Sequence, residues 1–337
     1  MDRDFGAALK IVLAGRYDTH DNYDSQFSPR AALVYRLSDQ GAFRFTYNRA
    51  FQAPAITQQE LLTFAGFAGP FPVMIRGNAR GFTLADGTKI RSLQAERNET
   101  FEVGYKSSLN NRFSLDVNAY HSVYKNFVSP LTVIGDLSAG NPVARVGDIA
   151  LTPEVTFTYL NFGKVNVTGL DLALNFRPTR NLQLWFNYSH LNPEDIKNNI
   201  ENDLNGDGRV SEGEAEALSF NTPQNKYNIG IAVSDFLTNG ISASLSIRHL
   251  DIFDFISGQH RATMAGKGTG MFQFKDRGPL GGFEAVDLQF AYTRANGWRF
   301  NLSISNVFDA HLRQMVGSPA IARLIMGELS FAFNPVR

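Results

Sequence analysis

The most specific chemical pattern in this 337-residue chain is a run of oxygen-bearing residues at positions 203–214. These residues recur at alternate positions, with a glycine in sixth place and a glutamate in twelfth. The candidate ligand residues are Asp203, Asn205, Asp207, Arg209 (through its backbone carbonyl), Ser211 and Glu214. Ca²⁺ prefers about six to eight hard oxygen ligands, and an EF-hand loop supplies them at this spacing. The run therefore predicts a structural Ca²⁺ site, since its acidic groups repel one another until a divalent ion binds.

The flanks of this run predict helices on both sides. Asn192 is a suitable N-cap in front of Pro193, and residues 212–218 suit a short exit helix. We therefore expect residues 192–220 to form an EF-hand-like insertion within a loop. The alternative is a solvated loop that matches the pattern by chance, because exposed loops are rich in Asp, Asn and Gly.

A second candidate site lies in residues 64–75, which are unusually apolar for a connection between strands. Phe64, Phe67 and Phe71 are expected to contact an aromatic or macrocyclic ligand, and His260 in another long connection is a further candidate. The alternative is that these phenylalanines pack on neighbouring loops. No G-x-S-x-G, H-E-x-x-H or phosphate-loop motif is found, so we expect a binding protein and not an enzyme.

The elements that must position these residues follow from the connections, which alternate between short and long. The short ones contain the Asn, Asp and Gly residues typical of tight hairpins. They are 38–41, 109–111, 178–180, 238–240 and 295–297, and the long ones are 51–95, 127–154, 193–222, 253–282 and 307–319. All short turns then lie at one end of a sheet and all long loops at the other. This layout is typical of a bacterial outer-membrane β-barrel.

The segments between the connections alternate between apolar and polar residues. We count about twelve strands of roughly ten residues, the length that a tilted strand needs to cross hydrocarbon. The predicted lipid-facing residues include Leu184, Phe186, Leu245, Ile247 and Leu288, and the predicted lumen-facing residues include Gln183, Asn187, Ser244 and Asp287. In one strand the apolar residues change from one face to the other after Val167, which predicts a β-bulge near residues 168–169. A soluble all-β protein is the alternative, but it gives no reason for sorting connections by length.

Composition agrees with a membrane barrel and excludes other classes. The 32 basic and 32 acidic residues cancel, which indicates neither a nucleic-acid partner nor a polybasic membrane patch. The absence of cysteine excludes disulfides and thiolate chemistry. The sequence contains no run of eighteen apolar residues, so no transmembrane helix is predicted. The 28 phenylalanines suit a lipid-facing surface.

The two ends of the sequence differ. Residues 1–4 lead at once into strand-like sequence, without the apolar region and cleavage site of a signal peptide. Because an outer-membrane protein needs such a signal, we expect this chain to be a fragment or to start at an internal Met. Residues 325–333 alternate and end on Phe333, as the last strand of an outer-membrane barrel does, and Asn334 to Arg337 extend beyond it.

Four motifs, spread over nearly the whole chain, resemble the TonB-dependent receptors in the C-terminal part of their barrel. They are Arg16-Tyr17-Asp18 with Phe27-Ser28-Pro29-Arg30, Tyr47 through Pro54 followed by Glu60-Leu61, Asn161-Phe162-Gly163 through Leu170-Asp171, and Ser305 through Asp309. The resemblance implies a fold class: an all-β, transmembrane, antiparallel up-and-down barrel. Residues 1–337 would form about the last twelve strands of a barrel of about 22 strands, without its plug domain and first strands.

The resemblance also implies a function and partners. Such receptors lie in the outer membrane, surrounded by its lipid, after insertion by the barrel assembly machinery. They import a scarce or bulky nutrient (ferric siderophore, haem, cobalamin or oligosaccharide), driven through the plug by TonB. The alternatives are a passive pore or small closed barrel and, remotely, an outer-membrane barrel hydrolase.

Overall fold

The computed structural model describes residues 2–5, 8–110, 112–194, 196–236, 239–256, 261–262, 280–294, 296–315 and 318–332. The strands in chain order are β1 Asp2–Phe5, β2 Leu9–Asp18, β3 Gln26–Ser38, β4 Gly41–Gln52, β5 Leu62–Ala68, β6 Phe71–Arg76, β7 Phe82–Leu84, β8 Lys89–Ile90, β9 Glu96–Leu109, β10 Phe113–Val128, β11 Thr132–Ile134, β12 Val143–Val146, β13 Ile149–Ala150, β14 Val155–Thr158, β15 Asn161–Thr179, β16 Leu182–Glu194, β17 Asn225–Ser234, β18 Ile241–Leu250, β19 Phe255–Ile256, β20 Arg261–Ala262, β21 Phe283–Thr293, β22 Trp298–Ser305 and β23 Leu324–Phe331. The helices are α1 Ile56–Glu60, α2 Glu212–Ala217 and a 3₁₀ turn at Ile200–Asn202.

One antiparallel sheet of thirteen strands, here called the wall sheet, dominates the fold. Its order is β1-β2-β3-β4-β9-β10-β15-β16-β17-β18-β21-β22-β23, so neighbours in the sheet are also neighbours along the chain once the loop strands are set aside. Twelve of these strands have eight or more residues, as the sequence predicts, and the four-residue β1 is added at the first edge. Among the described residues β1 and β23 do not pair with each other, so the sheet is open.

The predicted sorting of connections is confirmed. Tight turns join β3 to β4, β9 to β10, β15 to β16, β17 to β18 and β21 to β22, all at one end of the wall sheet. At the turn before β18, Gly240 has a φ of +92° and a Cβ there would lie 2.0 Å from the carbonyl oxygen of Thr293, so only glycine fits. The long connections leave the opposite end, here called the long-loop end. Within the described residues, no helix is long and apolar enough to cross a membrane.

The two faces of the wall sheet have the predicted chemistry. Directly paired residues lie on the same face of a sheet, so each rung of the register shows which residues are neighbours. One rung consists of Leu115, Leu174, Phe186, Ile229, Ile247 and Val286. A rung of opposite parity consists of Gln183, Ala232, Ser244, Gln289 and Ser303. We call the apolar face outward and the polar face inward.

Because of this register, we expect nitroxide labels at residues 245 and 244 to report opposite environments when the intact protein is in a bilayer. The label at 245 should be quenched by a lipid-soluble agent and the label at 244 by a water-soluble one. Leu245→Lys should cost about 2–4 kcal/mol of stability at the midplane, and Ser244→Lys much less. Equal lipid accessibility at the two positions would contradict the assignment of faces.

The predicted bulge near residues 168–169 is wrong. The β10–β15 register runs without a shift from Lys125–Lys164 to Phe113–Phe176. The apolar parity changes because the inward face of β15 is covered at the long-loop end. There Val165 and Val167, which are 0% and 1% exposed, pack against Leu218 from the connection between β16 and β17. Burial under a loop, and not an extra residue in the strand, places apolar side chains on the inward face.

Candidate functional site

Two of the long connections fold together at the long-loop end into one unit. Residues 53–95 and 129–160, here called the loop lobe, share two four-stranded sheets. The first has the order β11-β14-β6-β5 and the second the order β13-β12-β7-β8, so each combines strands from both connections. The β14–β6 pairing is parallel, with Val155 opposite Val73 and Phe157 opposite Ile75. Backbone hydrogen bonds therefore join the two loops directly.

A buried ion pair fixes this junction. The guanidinium of Arg76 donates to both carboxylate oxygens of Glu154, at 2.7 and 3.1 Å. Glu154 is 4% exposed and Arg76 19% exposed. The hydroxyl of Thr156 also donates to Glu154 (2.9 Å), and that of Thr158 donates to the Arg76 carbonyl (2.7 Å). A two-pronged contact of this kind sets the register as well as the distance between the loops.

Asn78 forms a second junction inside the loop lobe. Its side chain is fully buried and donates to the carbonyls of Arg91 (3.0 Å) and Tyr159 (2.9 Å). It also accepts the backbone N–H of Gly81 at 3.1 Å. The amide thus forms hydrogen bonds with backbone groups of both connections, at positions where no neighbouring strand provides a partner. Sequence reasoning missed both junctions, because the partners lie about eighty residues apart along the chain.

The phenylalanines predicted to bind ligand lie on the β5–β6 hairpin, at the edge of this lobe. Phe64 and Phe67 are in edge-to-face contact with ring centroids 5.1 Å apart. Phe64, Phe67 and Phe71 remain 53%, 71% and 36% exposed. The strands of the hairpin pack on the neighbouring loop, but the rings themselves face solvent. His260 lies outside the described residues.

The predicted calcium ligands form a compact loop held by its own backbone. The carboxylate of Asp203 accepts the N–H groups of Gly206 (2.7 Å) and Gly208 (2.8 Å). Both glycines have positive φ, +75° and +86°, which supports the predicted sharp turn at Gly208. Asn205 and Asp207 each accept the N–H two residues further on, at 2.9 Å.

Glu214 closes this loop. One carboxylate oxygen accepts the N–H groups of Leu204 (2.7 Å) and Asn205 (3.1 Å), and the other accepts the N–H and hydroxyl of Ser211, both at 2.7 Å. Burial acts to raise the pKa of Glu214, but the hydrogen bonds from Ser211, Leu204 and Asn205 outweigh it and lower the pKa below its usual value. The twelfth position therefore holds a charged carboxylate that points back across the loop.

The flanks of the loop match the prediction only in part. The exit helix is present as α2, with Ser211 as its N-cap in a capping box with Glu214. The predicted start of an entry helix, with Asn192 as its N-cap and Pro193 as its first residue, is wrong, because β16 continues through Glu194 and pairs there with residues 166–168 of β15. In the described part of the chain, no three His, Asp or Glu side chains are grouped closely enough to hold a metal ion. A bound ion would therefore need carboxylate rearrangement as well as the amide, hydroxyl and backbone oxygens.

Asparagines in two of the sequence motifs act as structural junctions at the long-loop end. Asn306 is 2% exposed and has a φ of +56°; its side chain accepts the N–H of Ala310 (2.9 Å) and donates to the carbonyls of Ala310 (2.8 Å) and Ile321 (3.2 Å). Asn161 donates to the carbonyls of Gln94 and Asn126 and accepts the N–H of Gln94 at 2.6 Å. Each side chain thus fixes the backbone at a point where a long connection leaves the wall sheet or rejoins it.

The comparisons with known proteins agree with this architecture. The family model described as TonB dependent receptor-like, beta-barrel, matches residues 2–307. The chain therefore belongs to the TonB-dependent receptor β-barrel family, whose members are outer-membrane transporters and not enzymes. No curated protein matches the sequence.

Among solved structures, a mutant of the ferric enterobactin receptor from Pseudomonas aeruginosa in complex with enterobactin has 17% identity and a TM-score of 0.65. The match covers 98% of this chain and 44% of that one. The siderophore receptor PirA from the same organism has 14% identity and a TM-score of 0.58, over 99% and 47% of the two chains. The iron transporter FrpB from Neisseria meningitidis has 15% identity and a TM-score of 0.56, over 96% and 43%. This chain thus spans less than half the length of these structures.

Proposed function

We propose that this chain supplies the C-terminal part of the barrel wall, with its outer loops, to a TonB-dependent receptor that imports a ferric siderophore. The observation that carries the proposal is the wall sheet, in which twelve strands of eight or more residues separate tight turns from long loops. The names of the similar structures, which are siderophore receptors and an iron transporter, favour iron over the other nutrients. Haem, cobalamin and oligosaccharides are the other candidates for the same site.

The remaining parts of the proposal follow from the family. A plug domain and the first strands, outside residues 1–337, would complete the barrel and carry the contact with TonB. The barrel assembly machinery would insert the protein into the outer membrane. A passive pore or a small closed barrel is the competing function, and it predicts solute passage that does not depend on TonB.

The ligand would first contact the exposed rings of the loop lobe. We expect the intact receptor to bind members of a panel of ferric siderophores, measured by quenching of intrinsic fluorescence. The Phe64→Ala/Phe67→Ala variant should bind its ligand several-fold more weakly, because the two rings form one exposed apolar contact surface. Phe236→Ala is the control, since Phe236 is 50% exposed at the tight-turn end. The assignment would be contradicted if the double variant and the control lost affinity for the siderophore equally, or if neither variant lost affinity.

We also propose that residues 203–214 bind Ca²⁺ as a structural ion. Support comes from six matched ligand positions, the two positive-φ glycines and the return of Glu214 across the loop. Asp203, Asn205, Asp207, Ser211 and Glu214 would offer side-chain oxygens, and Arg209 its carbonyl. Binding should weaken as the pH falls through the lowered pKa of Glu214, because protonation removes the charge of that ligand.

Calorimetric titration of the intact protein with Ca²⁺ tests this site. We expect micromolar to millimolar affinity, as in extracellular modules. Glu214→Ala should abolish the binding heat, whereas Glu216→Ala in the same helix should leave it unchanged. Wild-type protein that gives no Ca²⁺-dependent heat would reject the site.

A further inference from the structure

Three asparagine–glycine pairs occur in the sequence, at residues 205–206, 239–240 and 296–297. An asparagine in front of a glycine is prone to spontaneous deamidation, because the glycine has no Cβ to shield its backbone nitrogen. In this reaction the glycine nitrogen attacks the side-chain amide carbon of the asparagine. All three asparagines are exposed in the structure. The surroundings of the glycine therefore decide which pair can react.

The two pairs in the tight turns are held by neighbouring strands. A Cβ on Gly240 would lie 2.0 Å from the carbonyl oxygen of Thr293, and one on Gly297 would lie 2.5 Å from the carbonyl oxygen of Ala332. The carbonyls of these glycines accept the N–H groups of Thr293 and Ala332, both at 2.8 Å. Their own N–H groups are also hydrogen-bonded, at 2.6 and 3.1 Å. These contacts oppose the backbone rotation that an attack on the asparagine requires.

The pair at 205–206 has open surroundings. A Cβ on Gly206 would meet no atom within 4 Å, and among the described residues this pair belongs to no strand. One carboxylate oxygen of Asp203 holds the N–H of Gly206, at 2.7 Å. The Oδ1 of Asn205 accepts the N–H of Asp207 (2.9 Å), and its Nδ2 donates to the carboxylate of Asp207 (3.3 Å). Short-range hydrogen bonds within the loop thus restrain both reacting groups while the loop stays closed.

We propose that Asn205 is a site of spontaneous deamidation and that Asp203 restrains the reaction. Opening of this exposed loop releases the nitrogen of Gly206 from Asp203. The nitrogen loses its proton to water and bonds to Cγ of Asn205, and the side-chain nitrogen leaves as ammonia. Water then opens the cyclic imide at either of its two carbonyl groups, which gives aspartate or isoaspartate. One water molecule is consumed and one ammonia is released, without an oxidant or a reductant.

The products would alter the calcium site proposed above. Residue 205 is the third position of the run at 203–214. Aspartate adds a charged ligand there, and the number of charged ligands tunes the Ca²⁺ affinity of such loops. Isoaspartate inserts a methylene group into the main chain and displaces the ligands that follow. This consequence rests on the proposed calcium site, whereas the deamidation itself does not.

The test incubates the intact receptor in detergent at neutral pH with a metal chelator and follows each pair by mass spectrometry of its peptides. Isoaspartate is identified by enzymatic methylation. Asn205 should deamidate several-fold faster than Asn239 and Asn296, whereas in denaturant the three rates should be similar. Asp203→Ala should speed the reaction at Asn205 about tenfold, the factor expected for the loss of a hydrogen bond to a charged group. Glu201→Gln is the matched control, because it removes a nearby exposed carboxylate whose partner is Lys164.

The proposal is overturned if Asn205 in the folded receptor reacts no faster than Asn239 and Asn296. It is also overturned if Asp203→Ala leaves the rate at Asn205 unchanged, or if Glu201→Gln raises that rate equally. Because the chelator is present throughout, none of these results depends on Ca²⁺ binding. In a separate calorimetric titration Asn205→Asp should bind Ca²⁺ more tightly than the wild type, and equal affinities would contradict the effect on the calcium site.

Discussion

Residues 1–337, expressed alone behind a signal peptide in a receptor-deficient strain, should support no TonB-dependent uptake. The expected loss is complete, because β1 and β23 do not pair with each other in the described residues and the wall sheet is therefore open. In hydrocarbon each unsatisfied backbone group costs several kcal/mol, so a sheet with two bare edges does not persist in a bilayer.

The segment could escape this cost by pairing with further strands or by closing into a smaller barrel. Neither route supplies a plug that TonB could pull, so at most a passive leak would remain. The measurement is radioactive iron uptake from a panel of ferric siderophores, with and without TonB in the same strain. A complete receptor of the same family is the positive control. Uptake by residues 1–337 that disappears on deletion of TonB would refute this view of the segment.

Removal of the Glu154 carboxylate should destabilise the loop lobe strongly. Glu154→Ala leaves the Arg76 guanidinium largely buried without its partner, and a broken buried pair of this kind costs about 3–5 kcal/mol. Lys106→Gln is the control, because the Lys106–Asp116 pair at 3.4 Å involves a lysine that is 76% exposed. Exposed pairs are worth about 0–1 kcal/mol.

Amide hydrogen exchange of the intact protein measures this difference locally. In Glu154→Ala, the amides of β6 and β14 should lose protection together, since the ion pair holds the junction of these strands. The amides of β9 and β10 should keep their protection. Unchanged exchange in β6 and β14 would show that the parallel pairing holds the two loops without the ion pair.

The wall was predictable because its information is local. An alternation of period two, as in Ile241 to Ile247, fixes both strand and face, and residues such as Gly240 mark the tight turns. The same rule failed at Val165 and Val167. There the inward side chains are apolar because a loop covers the strand. The covering residue, Leu218, lies about fifty residues away along the chain, so the local sequence does not indicate it.

The candidate site was predictable only where one short segment contains it. The run at 203–214 folds into a closed loop, as expected. The predicted entry helix is absent because Asn192 pairs with Thr168 in the sheet, and helix-capping rules do not consider such a contact. The loop lobe depends on contacts such as Arg76–Glu154 between separate connections.

The most direct test of transport is iron uptake by cells in which the intact receptor is the only siderophore receptor. We expect uptake of at least one ferric siderophore in the presence of TonB and none when TonB is deleted. Uptake that continues unchanged without TonB would identify a passive pore and contradict the proposed function.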